Sequence, residues 1–161
     1  DPYYLTERSL QVHYKPELIL SGRRINDNMA HYVVENFIKI ALKRNVFKYS
    51  KKVLLLGITF KENCPDIRNS KSIEIAKLLI EYGLDLEIYD PVAFVDKNFK
   101  LIKNKVNSIE INNNYCGIIV SVAHDIFQTL SLETINKNGF NNCLLFDLKS
   151  VYPNIKNSWR L

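Results

Sequence analysis

Lys61 and Arg68 stand in one polar loop, Gly57-Ile-Thr-Phe-Lys-Glu-Asn-Cys-Pro-Asp-Ile-Arg-Asn-Ser70, directly after the apolar run KVLLLG. Two cations ahead of a helix that starts near Ser70 make an anion site, because the unpaired N–H groups of a helix N-terminus add to their charge. Either cation alone reads as a solvated loop residue; the pair in one loop favours a ligand. The same loop argues against one mode of binding. A dinucleotide site wants G-x-G-x-x-G at this point, so that the backbone can close on a pyrophosphate. Here Gly57 stands alone, and the loop is far too long for that tight turn. Lys149 adds a cation just after Asp147, at the end of another apolar run, and His124 and Asp125 follow a third. A lone His after a strand reads as structural, and Asp125 reads as a helix cap. No Ser/His/Asp order, metal-ligand cluster or P-loop is evident in the sequence, and no residue stands out as a nucleophile.

These loops must be brought together by the elements between them. KVLLLG, LDLEIYD, CGIIVSV and NCLLFDL are short apolar runs closed by Gly, Pro or polar residues, the pattern of buried parallel strands. SIEIAKLLIEYG places Ile73, Ala76, Leu79 and Ile80 on one helical face, with Gly83 where a C-terminal cap belongs. A further helix is expected near DIFQTLSLETINKN, and residues 94–113 carry no clear pattern. Strand and helix therefore alternate from about Lys51 to Tyr152. That order predicts an α/β fold, a doubly wound, Rossmann-like parallel sheet with right-handed crossovers. Ligands of such sheets bind beyond the C-terminal strand ends, where the strand order reverses.

Ahead of this region, YYLTERSLQVHY predicts a short helix broken by Pro16. After Ser21-Gly22, the stretch 24–44 reads as one long helix. Met29, Val33, Phe37 and Ala41 recur every four residues, and Ile25, Tyr32 and Ile38 widen the apolar surface. Such a helix packs against more than one neighbour. From the pattern alone, a core helix and a dimer-forming or domain-linking helix are equally good readings.

Composition narrows the class. Hydrophobic residues make up 47% of the 161, enough for a real core, and charged residues 24%, so the chain is globular rather than disordered. The net charge of +5 suits an anionic partner. The basic residues are thinly spread among acids, without the dense stripe that nucleic acid wants; a small phosphorylated ligand satisfies the same charge, and a Lys- and Asn-rich background composition explains it equally well. Cys64, Cys116 and Cys143 are widely spaced and odd in number, which points to a reducing, cytoplasmic setting without a disulfide framework. No apolar run approaches the length of a membrane span. The start at Asp1, without Met, suggests a fragment, a processed chain or further residues upstream.

GITFKENCPDIRNSKSIEIAKLLIEYGLDLEIYDP resembles the hallmark of the UDP-glucose/GDP-mannose dehydrogenase family. The family's C-terminal domain carries G-x-(T/A)-F-K-x-(N/D)-x-x-D-x-R-x-S, and every one of those positions matches here. DPYYLT and PELILSGRRINDNM resemble the central segment of the branch acting on UDP-N-acetylhexosamines, and SVAHDIF and LLFDLKSVYP resemble the next two substrate loops. The likeness covers essentially the whole chain. It implies residues 1–48 as the end of a central domain with a linking and dimerising helix, 24–44, and residues 49–161 as a UDP-sugar-binding C-terminal domain.

The family oxidises a sugar C6 alcohol to a carboxylate in two NAD-dependent steps, through a thiohemiacetal and a thioester on a cysteine. The resemblance places that cysteine four residues before Asp1, which becomes the acid assisting proton transfer and hydrolysis. It also places the NAD domain upstream, so the chain alone is expected to bind UDP or a UDP-sugar weakly and to have no dehydrogenase activity. Phe60 and Lys61 match the pair that contacts the nucleotide sugar, Lys149 matches a basic substrate contact, and Arg24 falls where it helps hold the sugar. Arg68 matches the arginine on the NAD side of the cleft. Cys64 is not the family's nucleophile, and His124 suits the acetylhexosamine branch. The resemblance settles the long helix as a dimer element. A non-enzymatic nucleotide-sugar-binding or regulatory α/β module is the alternative. A receiver-like signalling domain wants acids grouped at the strand ends, which Lys61 and Lys149 oppose.

Overall fold

A computed structural model describes residues 2–96, 99–109, 114–131, 142–155 and 158–161. Five parallel strands form one sheet: β1 (Lys52–Leu56), β2 (Asp85–Tyr89), β3 (Lys105–Val106), β4 (Tyr115–Val120) and β5 (Leu144–Asp147), in the order β3-β2-β1-β4-β5. The strand order reverses between β1 and β4. Helices α1 (Pro2–Gln11) and α2 (Glu17–Lys43) precede the sheet, α3 (Lys71–Glu81) joins β1 to β2, and α4 (Asp125–Gln128) follows β4. The expected parallel α/β sheet behind a long helix is therefore present.

Helix α2 begins at Glu17, not after Ser21-Gly22 as the small residues suggested, and Gly22 lies within it. The backbone there meets open space, so a glycine interrupts nothing and costs only helix propensity. Its buried residues are Ala30, Val33, Val34, Phe37 and Ala41. They share one core with Val53, Leu55, Leu86, Ile88, Ile119 and Phe146 of the sheet and with Ile75, Ala76 and Leu79 of α3. Ile25 and Tyr32 are exposed, as is Leu18, so the apolar surface of α2 is only partly used by this core.

Strand alternation sends Leu54, Leu56, Ile118, Val120 and Leu145 to the other face, where they pack with Phe127 of α4. Helix α4 stops at Gln128, shorter than the stretch to Asn138 that the sequence suggests; residues 132–138 of that stretch lie outside the described residues. The predicted faces of α3 shift slightly, with Ile75 buried and Ile80 exposed. Its ends are as expected. Ser70 Oγ accepts the Ser72 N–H, while Gly83 takes φ +76° and donates to Ile80 O as Leu84 N–H donates to Leu79 O, closing both loose ends. Among the described residues no helix is long and apolar enough to cross a membrane.

Candidate functional site

Register aligns the strand ends. Leu56 pairs with Tyr89 on one side and Val120 on the other, and Val120 pairs with Asp147. The loops that start at Asp90, Gly57, Ser121 and Leu148 therefore leave one edge of the sheet side by side. With neighbouring strands about 4.8 Å apart, the loops carrying Lys61 and Lys149 start roughly 10 Å from each other, either side of β4.

Each loop is folded by polar groups buried beneath it. Gly57 turns the chain out of β1 at φ +88°, and a methyl there would lie 2.6 Å from Val122 Cβ, so only glycine fits. Asp90, fully buried at the end of β2, accepts Ile58 N–H on one oxygen at 2.7 Å and the N–H groups of Val92 and Ala93 on the other, both at 2.9 Å. Asp147 does the same after β5, accepting Val151 N–H at 3.0 Å and Tyr152 N–H at 2.7 Å. Lys149 is exposed within the turn that Asp147 holds, beside Ser150 at φ +55°. The Tyr152 hydroxyl donates to Phe127 O at 2.6 Å, and burial, helped by the Asp147 charge, pushes its pKa up to about 12. Acids do stand at the strand ends, but these two are buried and engaged by backbone donors, unlike an exposed acidic cluster.

The β1 loop is tied to its neighbours at several points. Ser70 Oγ donates to Thr59 O, Ser121 Oγ donates to Gly57 O, and Phe60 N–H donates to Asp66 O at 2.8 Å. His124, also fully buried, reaches Thr59, Asn63 and Asp90. Phe60 is 61% exposed and Lys61 is exposed beside it, so a rigid base presents both side chains outward. His124 is structural, as a lone strand-end His should be. Asp125 is not the cap of α4 but its first residue, its N–H taking Asn63 Oδ1. Asp90, Ser72 and Ser121 do not stand out in the sequence. An acid immediately before Pro91 at a strand end was the available signal for Asp90.

Arg68 sits at the other side of the loop. Its Nε and Nη2 contact both oxygens of Asp66, the shortest at 2.7 Å. The side-chain bonds from Arg68, then the Arg68 N–H, hold the Asp66 carboxyl down at about 2, and Asp66 in turn raises Arg68. Arg68 lines an open cleft of about 760 Å³ with Ile73 and Lys77 of α3 and Phe94 and Lys100 beyond β2. Arg24 is exposed on α2 and borders a shallow groove with Lys15, Glu17, Leu20 and Ser21, whose lining includes none of the strand-end loops. Asp27, one turn further along, lies 3.5 Å from Lys71 at the start of α3, which puts Arg24 toward the same end of the domain. Asp1 lies outside the described residues. Among the described residues Cys64, Cys116 and Cys143 form no disulfide with one another; burial pushes the Cys116 thiol up to about 12, as befits a core residue.

The structure thus brings Phe60, Lys61 and Lys149 to the strand ends, with Arg68 on the flank of the same loop and Arg24 apart from them. It is an α/β domain that presents aromatic and cationic groups where such sheets take their ligands. Residues 54–154 match the family model described as "UDP-glucose/GDP-mannose dehydrogenase family, UDP binding domain". The chain belongs to this family. Over 161 residues, all of this chain and 38% of the relative, it is 40% identical to a UDP-N-acetyl-D-glucosamine 6-dehydrogenase of Pseudomonas aeruginosa. It is 53% identical to the protein CapL of Staphylococcus aureus over 160 residues, 94% of this chain and 35% of that one. The fold matches a GDP-mannose dehydrogenase from Pseudomonas aeruginosa with a TM-score of 0.73 at 21% identity, covering 99% of this chain and 37% of the other. The chain spans little more than a third of the length of these curated relatives.

Proposed function

We propose that the chain is the substrate-binding part of an NAD-dependent nucleotide-sugar 6-dehydrogenase, one that oxidises the C6 alcohol of a UDP-N-acetylhexosamine to the uronate for surface polysaccharide synthesis. One observation carries this. Phe60 and Lys61 stand on the loop from β1, at the reversal of strand order, and Lys149 on the loop from β5, one strand beyond it, in a chain 40% identical along its whole length to a UDP-N-acetyl-D-glucosamine 6-dehydrogenase.

The chemistry of the three residues suits that ligand. Lys61 and Lys149 offer ammonium groups to a diphosphate, and Phe60 offers an apolar face to a base or sugar. Arg24 adds a cation on the helix side. Arg68 serves the cofactor side of the cleft, with Asp66 holding its guanidinium in place. The residues here do not build a dinucleotide site of their own, since Gly57 is followed by a long loop and not by a glycine-rich turn. NAD, which supplies the hydride acceptor, is in this reading bound mainly by a domain outside the 161 residues. The chain on its own then lacks dehydrogenase activity, and Asp1 contributes the acid that assists proton transfer.

Residues 1–48 form, in the same reading, the end of a central domain, and α2 pairs two subunits. Exposed Leu18, Ile25 and Tyr32 recur at seven-residue spacing on α2, which supports such a contact. Three widely spaced cysteines, an odd number without a CxxC pair, suit a reducing, cytoplasmic setting.

Calorimetry of the chain with UDP, UDP-N-acetylglucosamine and NAD tests the proposal. Saturable binding of the two uridine ligands, with no NAD binding and no NAD reduction, is the expected result. Absence of uridine-ligand binding refutes the substrate-domain reading, and NAD reduction by the chain alone refutes the division of labour.

A further inference from the structure

His124 makes a set of contacts that fixes more than its own ring. Its Nδ1 accepts the N–H of Asn63 at 2.9 Å. Its Nε2 lies 3.1 Å from Thr59 Oγ1 and 3.3 Å from Asp90 Oδ2. The proton can be placed from the partners. An amide N–H donates to Nδ1, so Nδ1 is bare. Thr59 Oγ1 gives its own proton to Lys61 O at 2.9 Å, so it can only accept from the ring. The Asp90 carboxylate accepts as well. The ring is therefore the neutral Nε2–H tautomer, with one proton shared between Thr59 and Asp90.

The two anchor points bracket the exposed pair. Thr59 immediately precedes Phe60, and Asn63 follows Lys61 by two positions. Both are held by one ring that comes from the loop after β4, and that ring is itself wedged edge-on against Phe127 at 5.2 Å. Asp90, from the end of β2, holds Ile58 N–H on the same oxygen that faces the ring. Loops from three strands thus meet at a single imidazole beneath the turn.

We propose that His124 is a positioning residue for the Phe60–Lys61 turn, fixing it in its ligand-ready shape before anything binds. The proposal rests on the reading of Phe60 and Lys61 as nucleotide-sugar contacts. A turn ordered in advance spares the ligand the entropy of ordering it, so the effect falls on affinity. No part of the ring needs to touch the ligand.

The test separates the ring's two bonds. In His124→Asn the side-chain oxygen sits near the place of Nδ1 and can keep the Asn63 bond. In His124→Gln the amide nitrogen reaches the place of Nε2 and keeps the Thr59 and Asp90 contacts instead. Hydrogen exchange at the Asn63 amide, compared with core amides such as Leu55, is measured beside UDP affinity by calorimetry, on the whole chain. His124→Gln is expected to speed Asn63 exchange and weaken UDP binding by about tenfold each, the size of one lost buried hydrogen bond, while Leu55 changes less. His124→Asn is expected to stay closer to the wild type in both. Equal acceleration at Asn63 and Leu55, or unchanged UDP affinity where Asn63 is deprotected, overturns the proposal. If the wild-type chain binds no UDP, the substrate reading fails, and Asn63 exchange alone then decides whether the ring holds the turn. Nitrogen NMR of wild-type His124 adds a test without substitution: an Nε2–H signal is expected, and an Nδ1–H signal overturns the proposal even if both variants fail to fold.

Discussion

The ring of Phe37 occupies the space over Gly117 that any side chain there would need: a methyl at position 117 would lie 2.3 Å from Phe37 Cε2 and 2.5 Å from Cζ. The helix and the sheet meet at this point without a layer between them. Phe37 also packs edge-on against Phe146 at 5.2 Å, and Phe146 stacks on Trp159 at 4.6 Å, so the ring cannot retreat toward β5.

Gly117→Ala is therefore expected to destabilise the chain by about 1–3 kcal/mol, the usual cost of overpacking a core. Gly22 offers the matched control. It lies within α2 with nothing near it, and Gly22→Ala should stabilise by up to about 1 kcal/mol through helix propensity. Chemical denaturation of both variants measures the contrast. Equal effects of the same sign would contradict the close contact.

The Asp66–Arg68 pair predicts a pH dependence of known sign. Asp66 titrates at about 2 in the folded chain against an ordinary value of 3.8. A carboxyl held down in this way favours the folded state above about pH 4, and the contribution fades as the pH falls through about 2. Its solvent-exposed setting keeps the effect small. Carboxyl NMR should find the low midpoint in the wild type and a return toward 3.8 in Arg68→Ala. An Asp66 midpoint near 3.8 in both would show that the pair is not formed.

The exposed apolar residues of α2 predict their own outcome. Leu18 is 88%, Ile25 63% and Tyr32 54% exposed. If two copies pair along this helix, Ile25→Glu places a charge at the seam and should shift sedimentation from dimer to monomer with little change in thermal stability. An unchanged dimer moves the contact elsewhere, and a wild-type monomer removes it from this chain.

Much of this architecture was legible from residue pattern. β1, β2, β4 and β5 are apolar runs with clear stops, and α3 carries both a Ser70 start and a Gly83 end, so local chemistry and tertiary packing agree there. β3 was not visible, because Lys105–Val106 is too short to show alternation. The start of α2 at Glu17 is not legible because Ser21-Gly22 looks like a break, although a solvent-facing glycine within a long helix costs little. Lys61 and Lys149 could be placed at strand ends from sequence, since each follows an apolar run. The clasp beneath them could not, because Thr59 and His124 are 65 residues apart and Asp90 belongs to a third strand. Only the folded sheet brings them together.

The most direct test of the central claim is a backbone-amide NMR titration of the chain with UDP. Saturable shifts confined to residues 58–63 and 148–152 and to their neighbours on the β4 loop are the predicted result. Saturable shifts confined instead to the groove beside Arg24, or none at all, would contradict a nucleotide-sugar site at the ends of β1 and β5.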